Sequence, residues 1–171
     1  MHERLVIVKL SRIFNILANL IIALIVALCA VIMLPKVFGY EVYGILSGSM
    51  LPNYPIGSII YVQHEEANNI EVGDVITFNM AAGSDVVATH RVVEINSEEE
   101  TFTTKGDNND TIDSSPVSFE RLIGKVVLCI PMLGYIADFI QSTNGIIAGV
   151  GAIVMVFALW FLSDYFKKHN K

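Results

Sequence analysis

The chain has 171 residues, 53% of them hydrophobic, a mean hydropathy of +0.57 and a formal net charge of −6. That apolar content excludes an ordinary soluble domain. The acidic balance argues against nucleic acid as a partner, since a phosphate backbone calls for cationic groups.

The N-terminal segment, residues 1–12, is basic through Arg4, Lys9 and Arg12. Residues 13–34 follow with no charge over 22 positions. At 1.5 Å rise per residue such a helix crosses about 30 Å of hydrocarbon, and a helix satisfies its own backbone there. The run is longer than the apolar core of a cleaved signal. Pro35-Lys36 follows it without a clear small-x-small exit site, so it reads as an uncleaved anchor.

Residues 35–130 form one domain-sized stretch with a strand-like pattern. Short β-rich runs occur at 40–46, 58–62, 74–78, 86–93, 101–105 and 122–128, split by Gly, Asn and Asp turns. This predicts a mainly β fold, a small barrel or sandwich, flanked by N- and C-terminal transmembrane helices. In residues 131–144, Met132, Leu133, Ile136, Phe139 and Ile140 fall near helical spacing. This segment is either a short amphipathic helix on the membrane surface or a loop packed on the barrel.

A second span is expected over residues 145–163, where 145–162 are uncharged. Gly145 and Gly149, with Ala148 and Ala152, give it a small face that another helix could approach closely. A basic tail, 164–171, ends the chain. Residues 41–130 hold four Lys/Arg against fourteen acids, whereas both flanks are net basic. By the positive-inside rule Arg4, Lys9 and Arg12 at one end, and Lys167, Lys168 and Lys171 at the other, face the cytoplasm, with Lys36 outvoted. The middle then lies outside the cell membrane. Cys29 lies inside the first apolar run and Cys129 near the end of the middle segment, so no disulfide is expected, and no Cys/His spacing suits a metal.

The candidate chemistry starts at Ser47-Gly48-Ser49-Met50. A nucleophile needs a tight turn and open space, which Gly48 can supply, but Ser-Gly-Ser is also ordinary loop sequence. Serine needs a base. His2 and His169 lie on the cytoplasmic tails, and His64 precedes Glu65-Glu66 in a polar loop. His90 sits inside a strand pattern that can hold an imidazole in register. Residues 103–113 form a Gly-Asp-Asn turn that offers Asp107, Asp110 and Asp113, one of which could orient the imidazole. Glu98-Glu99-Glu100 reads as a solvated loop tip. A histidine base predicts a rate that falls as imidazole protonates, for which the reference pKa is about 6.5.

Taken together, Ser47-Gly48-Ser49-Met50 with Pro52, His90-Arg91-Val92, and Lys105-Gly106-Asp107-Asn108-Asn109 followed by Asp113 resemble the conserved boxes of type I signal peptidases, in the family order. The His-Arg-Val form resembles the endoplasmic-reticulum-type branch, which also occurs in archaea and some Gram-positive bacteria. The resemblance covers roughly residues 40–130. It implies a membrane-held serine endopeptidase that removes signal peptides from exported preproteins after small residues, with no cofactor. Ser49 would be the nucleophile, His90 the base and Asp113 the third member, with Asp107 ranked second as a loop-shaping residue. Ser47 and the backbone N–H of Ser49 would meet the oxyanion. Tyr40, Val42, Ile45 and Leu46 are candidates for lining the substrate site, and equally for plain core. Implied partners are signal peptides and membrane lipid, with the translocation machinery as a further candidate. Two other readings stay open: a Ser–Lys protease using Lys105, and a non-catalytic membrane-anchored β module of a processing complex.

Overall fold

The computed structural model describes residues 2–168, with side chains from Lys9 onward; Lys171 and His169 lie outside the described residues, as do the side chains of His2 and Arg4. The chain divides into two compact units, one of Leu34–Ala137 and one of Met1–Met33 with Asp138–Lys171.

Among the described residues, the first unit holds seven strands: β1 (Tyr40–Gly44), β2 (Ile59–Gln63), β3 (Val75–Asn79), β4 (Val87–Asn96), β5 (Thr101–Lys105), β6 (Val117–Ser118) and β7 (Leu122–Ile130). They form one antiparallel sheet in the order β1-β2-β7-β3-β4-β5-β6. The small β fold expected from the turn-punctuated pattern is a half-barrel. All six expected strands are present, within a few residues at their ends. Two-residue β6 is an addition, too short to carry a periodic signal.

Successive strand residues face opposite sides, and β3 buries both. Val75 joins a cluster of Ile45, Met50, Ile60, Val62 and Val126, whereas its neighbour Ile76 joins Ile70, Phe78, Val92, Phe102 and Val117. Each fully buried aliphatic or aromatic side chain contributes on the order of 1.5–3 kcal/mol. Strand β4 is long because it serves both halves of the sheet. Residues from Val87 to Arg91 pair with β3, and from Arg91 to Asn96 with β5, with a register shift between Val92 and Glu94. At the β4–β5 turn, Asn96 Oδ1 accepts the N–H groups of Glu98 and Glu99 at 3.1 Å, leaving Glu98, Glu99 and Glu100 exposed.

Residues after Pro131 form helix α2 (Leu133–Gln141). Its first turn packs on the β unit: Leu133 and Gly134 are buried, and the Gly134 N–H bonds the Gly57 carbonyl at 2.9 Å. Gly57 has φ +79°, and a Cβ there would meet the Tyr135 ring at 2.1 Å, so the turn before β2 requires glycine.

The other unit contains most of helix α1 (His2–Val37) and α3 (Thr143–Lys168). Both are long and apolar enough to cross a membrane, with mean hydropathies of 3.0 and 2.5 over an 18-residue stretch of each. Helix α1 already begins at His2, so the basic residues and the apolar run share one helix. The two helices meet through a polar patch. Ser11 Oγ and Ser163 Oγ are 2.9 Å apart, Asn15 Nδ2 donates to Ser163 Oγ at 2.7 Å, and both serines are buried. Ser142 Oγ accepts the Gly145 N–H at 3.1 Å and so caps the start of α3.

Candidate active site

Met50 explains where Ser49 sits. The Met50 side chain is 1% exposed and belongs to the core cluster with Ile60 and Val126. Sinking Met50 into the core fixes the turn and leaves Ser49 at its rim. The loop is tied down again from the Gly-Asp-Asn segment, where Asn108 N–H donates to the Ser49 carbonyl at 2.8 Å.

His90 approaches from the middle of β4, opposite Ile76 of β3, with the Phe78 ring edge-on to its imidazole at 6.4 Å. Its Nδ1–H donates to Asp113 Oδ2 at 2.5 Å. A carboxylate on Nδ1 leaves Nε2 as an acceptor, and Ser49 Oγ lies 3.2 Å from Nε2. Ser47 Oγ is 3.2 Å from Ser49 Oγ. The side chains of His90 and Asp113 are 16% and 23% exposed, shielded yet open to an incoming group. The structure thus brings Ser47, Ser49, His90 and Asp113 into one continuous set of contacts. A hydroxyl, a base able to take its proton and a carboxylate that can balance the imidazolium form the constellation used for acyl transfer.

Asp107 lies elsewhere. Its Oδ1 accepts Arg91 Nε–H at 2.8 Å, and its Oδ2 accepts Arg91 Nη2–H at 2.7 Å and Asn53 Nδ2–H at 2.8 Å. This planar fork joins β4 to the turn after Ser49, a geometry that guanidinium suits and ammonium does not. Sequence alone pointed to neither Arg91 nor Asn53 as its partner. The only hint was a cation beside His90, which strand alternation sends to the opposite face.

The Arg91 bonds, helped by Asn53 and opposed by burial, hold the Asp107 carboxyl below the ordinary carboxylate range. An unfolded Asp takes up its proton near pH 3.9, and the folded one does so at lower pH. Below about pH 4 the unfolded chain therefore binds more protons. The stability this carboxylate contributes is complete above that pH and is lost as pH falls through the folded value. In detergent, Asp107→Asn is expected to lower the melting temperature at neutral pH and to flatten its fall below about pH 4, as followed by circular dichroism. An acid limb identical to that of the parent chain would contradict this.

The remaining sequence candidates separate. Lys105 Nζ lies 3.4 Å from the Asp110 carbonyl. His64 is exposed, with Nδ1 against the Ile123 carbonyl at 3.1 Å. In β1, Tyr40 and Val42 are half-buried, and Leu46 beyond it is 87% exposed. Ile45, offered both as pocket lining and as plain core, lies in the core. It is 7% exposed and packs on Met50, Ile60 and Val62, because alternation turns it to the face opposite Val42 and Leu46. Among the described residues, no group of three or more His, Cys, Asp or Glu is placed to hold a metal ion.

Residues 17–99 match the family model described as signal peptidase, peptidase S26. The chain is 41% identical over 123 residues to signal peptidase I W of Bacillus subtilis, covering 66% of this chain and 64% of that protein. It is 33% identical over 108 residues to the signal peptidase complex catalytic subunit SEC11 of Candida tropicalis, covering 57% and 64%. Against the signal peptidase complex catalytic subunit SEC11C of Homo sapiens the identity is 25% over 126 residues, covering 66% and 65%. The chain therefore spans just under two thirds of the length of these curated relatives.

Proposed function

We propose, for a chain whose residues 17–99 match the signal peptidase S26 family model, that it is a membrane-bound serine endopeptidase cutting signal peptides from exported preproteins after small residues. The observation that carries this reading is the unbroken line Ser49 Oγ, His90 Nε2, His90 Nδ1, Asp113 Oδ2, with contacts of 3.2 Å and 2.5 Å at its two junctions.

In this mechanism His90 Nε2 takes the Ser49 proton as Oγ attacks the scissile carbonyl, and Asp113 stabilises the imidazolium. The Ser47 hydroxyl and the Ser49 N–H meet the oxyanion, each such donor typically being worth about 3 kcal/mol. Imidazolium then protonates the leaving amine. Water, deprotonated by the same nitrogen, releases the signal peptide from Ser49. An extended substrate would add to the sheet at the free edge of β1, where backbone hydrogen bonds give affinity. Tyr40, Val42 and Leu46 are the candidates there for reading small side chains.

The two apolar helices support a multi-pass protein of the cell membrane. In this reading the basic ends at Arg4, Lys9 and Arg12 and at Lys167 and Lys168 face the cytoplasm, with the acidic β unit outside. Two relatives are named as catalytic subunits of a signal peptidase complex, which supports partner subunits or translocation machinery as further contacts. The test is cleavage of a purified precursor by the detergent-solubilised chain. A single cut after a small residue is expected, lost in Ser49→Ala and kept in Lys105→Ala. A parent chain that does not cut would overturn the reading in favour of a non-catalytic module, Ser49→Ala cutting as fast as the parent would remove Ser49 as the nucleophile, and loss in Lys105→Ala with His90→Ala active would point to a lysine base.

A further inference from the structure

Asp113 is held at two points by one residue. The Thr104 carbonyl accepts the Asp113 N–H at 2.8 Å, and the Thr104 hydroxyl donates to Asp113 Oδ2 at 2.6 Å. That oxygen is the one that faces His90 Nδ1. Thr104 lies on β5 in register with Val92, so it shares the face of β4 that carries His90, and it is 1% exposed. Its β5 neighbour on the same face, Phe102, is wholly buried and apolar. Valine would fill the Thr104 volume equally well. A buried hydroxyl is costly unless it is bonded, and the partner of this one is the carboxylate behind the base.

The flank of Asp113 shows what the hydroxyl is needed for. A cavity of about 320 Å³, bordered by Phe78, His90, Thr104, Asp113 and Ser114, opens beside the carboxylate. Without a second anchor the carboxylate can turn about its last torsion toward that space and present the wrong oxygen, or neither, to Nδ1. A carboxylate accepting two donors on one oxygen has a single preferred setting.

We infer that Thr104 is a positioning residue of the acyl-transfer site, its hydroxyl locking the Asp113 carboxylate in the orientation that sets the His90 tautomer. This rests on the Ser49–His90–Asp113 reading above. Thr104 acts through Asp113 and does not touch the reacting atoms. The effect therefore falls on turnover and leaves substrate capture alone.

The test compares Thr104→Val, Thr104→Ser and Thr104→Cys in the detergent-solubilised full chain cutting a precursor. Thr104→Val is expected to lower kcat about tenfold with KM within about twofold, as befits loss of one hydrogen bond to a charged group. Thr104→Ser restores most of the rate, and Thr104→Cys, with its weak donor, stays near valine. The downfield proton resonance of His90 Nδ1–H should weaken in Thr104→Val and return in Thr104→Ser. If Thr104→Val does not fold, the Ser and Cys pair makes the same comparison. Parental kcat in both Thr104→Val and Thr104→Cys overturns the inference, as does a Thr104→Ser rate no better than valine. A parent chain that does not cut, or a Ser49→Ala chain that does, marks instead the failure of the underlying reading.

Discussion

Replacing His90 with alanine is expected to lower kcat about 10⁶-fold, and replacing Asp113 with asparagine about 10⁴-fold, with KM little changed in either case. The larger loss follows because, among the described residues, the other side chain bonded to Ser49 Oγ is Ser47, and a hydroxyl is no base. The smaller loss has a specific geometry. Asparagine can offer its oxygen or its nitrogen to His90 Nδ1. The oxygen keeps the tautomer but removes the charge that balances imidazolium. The nitrogen forces the proton onto Nε2, which then cannot accept from Ser49. A loss of the full size corresponds to the second arrangement, the wrong tautomer, and it sets the amide nitrogen where two donors, His90 Nδ1–H and the Thr104 hydroxyl, now converge on Asp113. Combining His90→Ala with Ser49→Ala should cost no more than either alone, since the two act as one unit. The check is steady-state cleavage of a precursor. A rate within tenfold of the parent for Asp113→Asn, with a collapse for Asp107→Asn, would transfer the orienting role to Asp107.

The second large effect comes from a residue with no side chain. A Cβ on Gly106 would lie 2.7 Å from the Ser49 carbonyl oxygen and 2.7 Å from Asn109 Nδ2. The Asn109 side chain can turn away. The Ser49 carbonyl cannot, because it belongs to the backbone of Ser49 itself and accepts the Asn108 N–H at 2.8 Å. Gly106→Ala must therefore push the two loops apart and lengthen the 3.2 Å approach of Ser49 Oγ to His90. A displacement near 1 Å costs on the order of 10²-fold in rate. Ser49 and Gly106 lie in loops, so the sheet and its melting temperature should be nearly unaffected. A Gly106→Ala chain that cuts at the parental rate would show that the loops have more room than the structure gives them.

Much of this arrangement is legible in the residues. Strands β1 to β5 and β7 announce themselves through β-branched and aromatic runs closed by Gly, Asn and Asp. Strand β6 does not, because Val117 and Ser118 pair only through a neighbour that the chain has already made. Helix α2 shows in the spacing of its apolar residues, but its burial against Gly57 is a tertiary fact. At the site, Ser49, His90 and Asp113 stand out because chemistry restricts which residue types can attack, accept a proton or balance a charge. Asn53 and Thr104 are ordinary residue types, and the Asn53–Asp107 bond joins positions 54 apart in sequence. Ile45 shows the opposite difficulty. Its apolar character is evident, but its face is decided by the continuation of β1 past Gly44, where the Ile45 N–H bonds the Ser58 carbonyl at 2.9 Å.

His90 and Arg91 share a single peptide bond, and the links they make close into a ring. One arm runs from His90 to the Ser49 hydroxyl. The other runs from Arg91 to Asp107, across the next peptide to Asn108, and from the Asn108 N–H back to the Ser49 carbonyl. The ring passes through Ser49 at both its side chain and its backbone. A linear chain of contacts accumulates the positional error of every member, whereas a closed circuit must share each fluctuation around its whole circumference. Cutting any one link turns the circuit into an open chain that still connects the same residues, so damage at the Arg91 side should reach the chemistry as a loss of aim before it reaches it as a loss of assembly.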